Sequence, residues 1–390
     1  MAKIDDSVKK KVPELRFKGF TDDWEERKFA DFIDVKSGKD YKHLNSGSIP
    51  VYGTGGYMLS IDRALSDIDA IGIGRKGTID KPYLLKAPFW TVDTLFYAVP
   101  KQNIDLQFSL SIFKKINWKK FDESTGVPSL SKTVINSVGA SVPCYEEQQK
   151  IGSFFKQLDK TIALHQRKLD LLKEQKKGYL QKMFPKNGAK VPELRFAGFA
   201  DDWEERKLKD VTERVRSNDG RMDLPTLTMS ASSGWLDQKD RFSGDISGKE
   251  KKNYTLLKKG ELSYNHGNSK LAKYGVVFSL TNYEEALVPR VYHSFKALEN
   301  TSADFIEYMF STKLPDRELG KLISSGARMD GLLNINYDDF MNIHISIPNY
   351  EEQILMSAFF RKLDENIALH QRKLDLLKEQ KKGFLQKMFV

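Results

Sequence analysis

The sequence predicts an α/β (α+β) chain: two mixed α/β domains separated by two long helices that pair as an antiparallel coiled coil about a pseudo-twofold axis. Three observations predict it. The chain repeats itself in part, the longer repeat carries a coiled-coil periodicity, and the regions between repeats hold short β-like runs broken by glycine.

Lys11 to Phe29, KVPELRFKGFTDDWEERKF, recurs from Lys190 to Leu208, with 16 of 19 positions matching at an offset of 179. Val142 to Phe184 recurs at Ile347 to Phe389, offset 205, and its middle, IALHQRKLDLLKEQKKG, is identical in both copies. Between them lie two dissimilar regions, about 31–141 and 210–346. A plain duplication would diverge evenly along its length, whereas here a near-fixed frame carries unlike inserts. The expected organisation is a first domain at 1–144 (lead-in repeat 11–29) and a first helical spacer at 145–189. A second domain follows at 190–349 (lead-in repeat 190–208), then a second spacer at 350–390.

The spacer repeat has no proline between Tyr145 and Phe184 and is rich in Leu, Lys, Gln and Glu, which favours helix. Its seam reads Phe155, Leu158, Ile162, His165, Leu169, Leu172, Lys176, Tyr179, Met183. The second copy reads Phe360, Leu363, Ile367, His370, Leu374, Leu377, Lys381, Phe384, Met388. Steps of three and four over about four heptads are the spacing of a coiled-coil seam. A parallel, in-register pair would set Lys176 against Lys381. An antiparallel pair with Leu169 facing Leu377 keeps every apolar layer apolar and sets His165 against Lys381 and Lys176 against His370, an imidazole accepting each ammonium. Gly178 and Gly383 near the helix ends, then Pro185, Lys186, Asn187 and Gly188, read as a stop and a linker. Phe155 to Met183 would span about 42 Å at ~1.5 Å per residue, more than one ~34 Å turn of B-DNA.

Both dissimilar regions offer short β-like runs in the same order, Ile49 to Tyr52, Ala70 to Ile73 and Thr94 to Tyr97 against Leu224 to Met229, Glu261 to Tyr264 and Val288 to Phe295. Gly72 to Thr78, GIGRKGT, corresponds to Ser263 to Lys270, SYNHGNSK. Arg75 and Lys76 stand between glycines, followed by Thr78, where a slim backbone can approach DNA and Arg can take guanine O6 and N7 together. Tyr264, Asn265, His266, Asn268 and Lys270 offer a different set: Asn suits adenine, Lys suits phosphate or guanine. Tyr57 and Trp235, each after a Gly-containing stretch, suit sugar or base packing as well as core. Ser129, Lys132 and Arg328 lie in the loop before each spacer and suit phosphate. The alternative for all of these is a solvated turn.

Composition sets bounds. The formal charge of +10 over 390 residues favours a polyanionic partner. A single cysteine, Cys144, rules out a disulfide within the chain and is Asn349 in the repeat, which speaks against a nucleophile. No secretory leader and no membrane-length apolar run is present in the sequence, so a cytoplasmic protein with no membrane partner is expected. Catalytic patterns fail in turn. Gly72 to Thr78 lacks the Gly-Lys-Ser/Thr ending of a P-loop. Val51 to Gly55 faintly resembles a cofactor turn but has no Asn-Pro-Pro-aromatic or Asp-Pro-Pro-Tyr companion. Pro315 to Glu318 lacks the gap of a nuclease site, and six scattered histidines give no zinc spacing.

The doubled arrangement, with PELRFxGFxDDWEERK, P-x-Y-E-E-Q (Pro143 to Gln148 and Pro348 to Gln353) and the L-Q-K-M-F ends, resembles the specificity subunits of type I restriction–modification systems over nearly the whole chain. The resemblance implies a non-catalytic DNA-binding subunit in which each variable region is a target recognition domain reading half of a split, asymmetric site. It implies helices that fix the unread gap and dock two modification subunits, with two restriction subunits joining them. S-adenosylmethionine, ATP and Mg2+ would belong to those partners, and this chain would hold no cofactor and no metal. The competing expectation is a coiled-coil scaffold whose α/β domains bind proteins.

Overall fold

The computed structural model describes residues 12–186, 188–242, 248–267, 269–323 and 332–390. The first half runs β1 (Glu25–Lys28), α1 (Phe29–Phe32), β2 (Ile33–Ser37), β3 (Ser46–Gly53), β4 (Gly56–Ile61), β5 (Ala70–Gly74), β6 (Tyr83–Leu85), β7 (Trp90–Thr91), β8 (Leu95–Pro100), α2 (Leu106–Lys115), α3 (Lys132–Ser137), β9 (Gly139–Val142) and α4 (Tyr145–Lys182). The second runs β10 (Glu204–Lys207), α5 (Leu208–Val211), β11 (Thr212–Arg214), β12 (Leu227–Ser230), β13 (Gly234–Asp237), α6 (Gln238–Phe242), β14 (Thr255–Lys258), β15 (Leu262–Asn265) and β16 (Val276–Ser279). It closes with β17 (Glu285–Val288), β18 (His293–Ala297), α7 (Ala303–Ser311), α8 (Asp316–Lys321), α9 (Tyr337–Met341), β19 (His344–Ile347) and α10 (Tyr350–Lys387). Among the described residues no helix is long and apolar enough to cross a membrane. The long helices run past Gly178 and Gly383 to Lys182 and Lys387, so those glycines are no stop. Pro185, which cannot continue a helix, lies just beyond the first end.

The chain divides into two units, Met1–Lys168 with His370–Val390, and Leu169–Leu369. The boundary falls inside each long helix, so each unit owns one head and two helical segments.

The lead-in repeat folds into the same device in both units. In the first, β1 pairs antiparallel with β9, Glu25 opposite Val142; in the second, β10 pairs with β19, Glu204 opposite Ile347. The short strand leads into a one-turn helix, where Asp31 accepts the Lys28 N–H at 2.9 Å and Asp210 the Lys207 N–H at 3.1 Å. Arg16 donates a two-pronged bond to Glu147 at 2.7 and 2.8 Å, and Arg195 does the same to Glu352 at 2.8 and 2.7 Å. Both carboxylates are buried, at 0% and 1% side-chain exposure. Such a planar fork satisfies a desolvated carboxylate in one fixed geometry. The neighbouring glutamine completes the joint: Gln148 accepts from Asp105 N at 3.0 Å and Gln353 from Ser302 N at 3.0 Å, fixing the N-caps of α2 and α7.

Each head is built on a four-stranded antiparallel sheet, β2-β8-β5-β6 in the first and β11-β18-β15-β16 in the second. A second layer starts from the β3-β4 hairpin, which pairs parallel with β7, and its counterpart is the β12-β13 hairpin, with a parallel bridge from Thr226 to Leu287. Trp24, Phe29, Phe108, Phe113 and Phe155 centre the first core, Trp203, Phe305, Phe340 and Phe360 the second. The identical L-Q-K-M-F segments that end the two spacer repeats join in: Phe389 packs on Phe108 at 5.6 Å and Phe184 on Phe305 at 5.5 Å.

Within each unit the two helical segments run antiparallel. In the first, Phe154 meets Phe384 at 5.0 Å, Asp159 pairs with Lys381, and His165 Nδ1 lies 3.1 Å from His370 Nδ1. In the second, Lys176 pairs with Asp364 at 2.6 Å, and Tyr179 meets Phe359 at 5.0 Å. The seam residues of both helices are buried or half-buried. The register differs from the expected one. His165 meets His370 instead of Lys381, and Lys176 meets Asp364, six residues before His370 on its partner. The reason is charge. A half-buried ammonium gains more from a carboxylate than from a neutral imidazole, and Lys114 at 2.7 Å from Asp159 and Tyr308 at 2.9 Å from Asp364 complete these sites.

Replacing Glu147 with Ala strands the Arg16 guanidinium and the Trp24 indole N–H, which reaches Glu147 at 3.2 Å. The expected cost is about 3–5 kcal/mol, read by hydrogen exchange as lost protection in 12–168 and 370–390 with 169–369 unchanged. Equal protection in both chains would contradict the clamp.

Candidate nucleic-acid interface

In the first unit β5 is buried throughout, AIGIG, and delivers Arg75 and Lys76 to the surface at its end. Arg75 N–H donates to Thr94 O at 2.8 Å, and its guanidinium donates to Asp93 O at 3.4 Å and lies 5.9 Å from the Phe96 ring centre. The Leu130 N–H donates to Arg75 O at 2.9 Å, Lys76 bridges Ser129, and Gly77 N–H donates to Pro128 O at 2.8 Å. The predicted residues Arg75, Lys76, Thr78 and Ser129 therefore form one loop pair, and Lys132 stands exposed on the first turn of α3. Asp122 stiffens the second loop, accepting the Ser129 and Ser124 N–H groups at 2.9 and 3.0 Å, bonds that hold its carboxyl below the usual range. The β3-β4 hairpin reaches the same place, since a Cβ on Gly77 would lie 3.8 Å from Thr54 Oγ1. Tyr57, just past the hairpin turn, is 63% exposed.

The glycines have a reason other than the expected one. A Cβ on Gly74 would sit 2.1 Å from Thr78 O, and Gly77 has φ +89°. Glycine is needed to close this turn, whatever approaches it.

In the second unit the same hydrogen bond locates the counterpart loop: Leu333 N–H donates to His266 O at 2.8 Å, as Leu130 does to Arg75, and Gly267 bridges Leu332. Here two expectations are overturned. Tyr264 is fully buried, stacked on Phe340 at 4.3 Å, with its hydroxyl donated to Tyr274 O at 2.7 Å; burial pushes its phenol upward. His266 is 5% exposed, and its Nδ1 and Nε2 face Leu333 O at 2.7 Å and Val291 O at 3.2 Å. Neither is available to a base: Tyr264 lies on β15, an inner strand, and His266 is buried just past its end against the Leu333 and Val291 carbonyls. Asn265 is half-buried, spanning Met229 O at 3.3 Å and Gly267 N at 3.0 Å. Lys270 is exposed. Trp235 donates to Ser279 O at 3.1 Å within a small core. Asn268 and Arg328 lie outside the described residues.

Beside His266 the structure assembles residues that sequence reading passed over. Arg214, Arg216 and Arg290 line a cavity of about 360 Å³ with His266, His293 and Tyr337. The Arg214 guanidinium lies 3.9 Å from the Tyr337 ring centre. The signal available was the Arg-Val-Arg run at 214–216, unremarkable until the fold closes a pocket around it.

A family model described as the type I restriction modification DNA specificity domain matches residues 21–174 and 200–379. The type I restriction enzyme MjaVIII specificity subunit of Methanocaldococcus jannaschii is 21% identical over 336 residues, covering 82% of this chain and 75% of that protein. Among solved structures, the type I restriction–modification S subunit from M. genitalium superposes with TM-score 0.66 at 12% identity, covering 97% of this chain and 99% of that one. That likeness concerns the fold.

The stacked histidines of the second unit, 4.9 Å apart, make a prediction. Burial lowers His293 to about 4, and His266 and Arg214 push the same way against its bond to Ile335 O. The folded unit thus prefers the neutral ring, so stability is full above the ordinary value near ~6.5 and is lost as pH falls toward about 4. The loss is of order 3 kcal/mol, at about 1.4 per pKa unit. His293→Gln is expected to flatten that part of the profile of urea midpoints; parallel profiles would contradict it.

Proposed function

The chain belongs to the type I restriction–modification DNA specificity family, and from that premise we propose how its parts divide the work. Each head reads one half of a bipartite, asymmetric duplex site. The two helices set the unread gap and dock two modification subunits, which two restriction subunits join. The chain catalyses nothing; S-adenosylmethionine, ATP and Mg2+ serve the partners.

The observation that carries this reading is the contrast between frame and heads. Lead-in, clamp and helices repeat almost residue for residue, while the counterpart loop positions hold exposed Arg75 in one head and buried His266 in the other. One duplex read in two places by different chemistry needs such a division. Each helix has 38 residues, about 57 Å at ~1.5 Å per residue. Leu164 and Leu171 on α4 and Leu369 and Leu376 on α10 are exposed by 51 to 55%, one heptad apart on each helix. Apolar side chains in that position suit a partner's cover.

The test is a fluorescence titration of randomised duplexes against the full chain with its modification subunit. Selective binding with steep salt dependence is expected; affinity flat across all sequences would refute the reading in favour of a protein-binding scaffold. Arg75→Ala is expected to lose about 1–3 kcal/mol through one half-site only, and altered preference in the other half would contradict independent heads. Lengthening both helices by one heptad is expected to change the gap tolerated between half-sites. An unchanged gap would remove the ruler role.

A further inference from the structure

The two heads offer unequal grips on a polyanion. In the first, Arg75 projects from the loop. In the second, its counterpart His266 is buried with both ring nitrogens facing backbone carbonyls, so no side chain projects from the loop at that position. The positive charge is instead gathered on the side of β18 and β11. Arg214 ends β11, Arg216 follows it, and Arg290 comes from the turn before β18, and all three line the 360 Å³ cavity.

Three exposed guanidiniums around one cavity repel each other unless an anion sits among them. None of the three has an ion-pair partner among the described residues. The adjacent Glu213 is engaged with Lys296 at 3.1 Å across the strand pair. Arg214 is braced against Tyr337, which limits the rotamer freedom given up when a ligand arrives. Asn334, exposed on the rim, adds a neutral donor. Guanidinium forks match phosphate oxygens in a fixed two-pronged geometry. In the first head the counterpart of Arg214, at the shared offset, is Val35, which is buried, so that head has no cation at this position.

We propose that the Arg214–Arg216–Arg290 cavity seats a backbone phosphate of the bound duplex and sets the register of the second head on DNA. The inference rests on the DNA-reading function proposed above. A phosphate clamp positions without reading sequence, so its removal weakens all duplexes alike and flattens the salt dependence.

The experiment measures binding of several unrelated duplexes by the full chain with its modification subunit across a salt series. The native chain is compared with the variant carrying Arg214→Ala, Arg216→Ala and Arg290→Ala, and with Arg290→Lys as a charge-keeping control. The expected result is a plot of log affinity against log salt shallower by about 0.9 for each phosphate the variant no longer neutralises, an equal fold-loss on every duplex, and a near-native slope for Arg290→Lys. A native chain that binds and a triple variant with the same slope would overturn the clamp while sparing the function. A native chain that binds no duplex would overturn both. ATP without DNA is the second arm: an ATP-induced rise in Tm that the triple variant abolishes would reassign the cavity to a free nucleotide and also overturn the proposal.

Discussion

Everything in this fold hangs on a buried carboxylate in the first turn of each long helix. Glu147 and Glu352 are withdrawn from water and held by Arg16 and Arg195 in matching two-pronged bonds. A buried charge is tolerable only when its partner is fixed in place, and the partner here lies in the lead-in segment, 131 residues earlier in one case and 157 in the other. The clamp therefore closes each variable head at its base, and the adjacent glutamines pin the caps of α2 and α7 to the same joint. This is why the lead-in and the start of each helix are nearly invariant between the copies while the inserts differ. What must fit the clamp is kept, and what projects from it is free to change.

The same constraint governs the helices. Their seams are half-buried, so each cation on them requires a carboxylate, and Lys381 with Asp159 and Lys176 with Asp364 supply one such pair in each unit. The His165–His370 contact, one Nδ1 donating to the other at 3.1 Å, needs at least one neutral ring. Burial, with Lys373 and His370 nearby, lowers the His165 imidazole and keeps that condition met.

Much of this was legible in the sequence. The unequal offsets of the two repeats disclosed frame and inserts, the steps of three and four disclosed the seam, and the clash of Lys176 with Lys381 in a parallel pair disclosed its antiparallel sense. The register was not legible. The identical stretch lets apolar layers align in more than one way, and the deciding carboxylates, Asp159 and Asp364, lie beside the seam in segments whose pattern is set by their apolar positions. In the heads, the exposed loop position of Arg75 was legible because glycines isolate it. Tyr264 and His266 misled because Ser263 to Lys270 reads like a polar loop, yet Tyr264 lies on an inner strand flanked by β16 and β18 and His266 is buried just past its end. The Arg214 cavity is built from five separated places in the chain, and no local pattern announces a site that only tertiary closure creates.

The central claim, that one shared frame carries two independent readers, is tested most directly by mapping methylated adenines across host DNA in cells that carry the native chain and in cells that lack it. The account predicts a motif of two unlike halves separated by a constant gap, absent when the chain is absent. A map unchanged by loss of the chain, or a single unbroken motif that depends on it, would contradict the account.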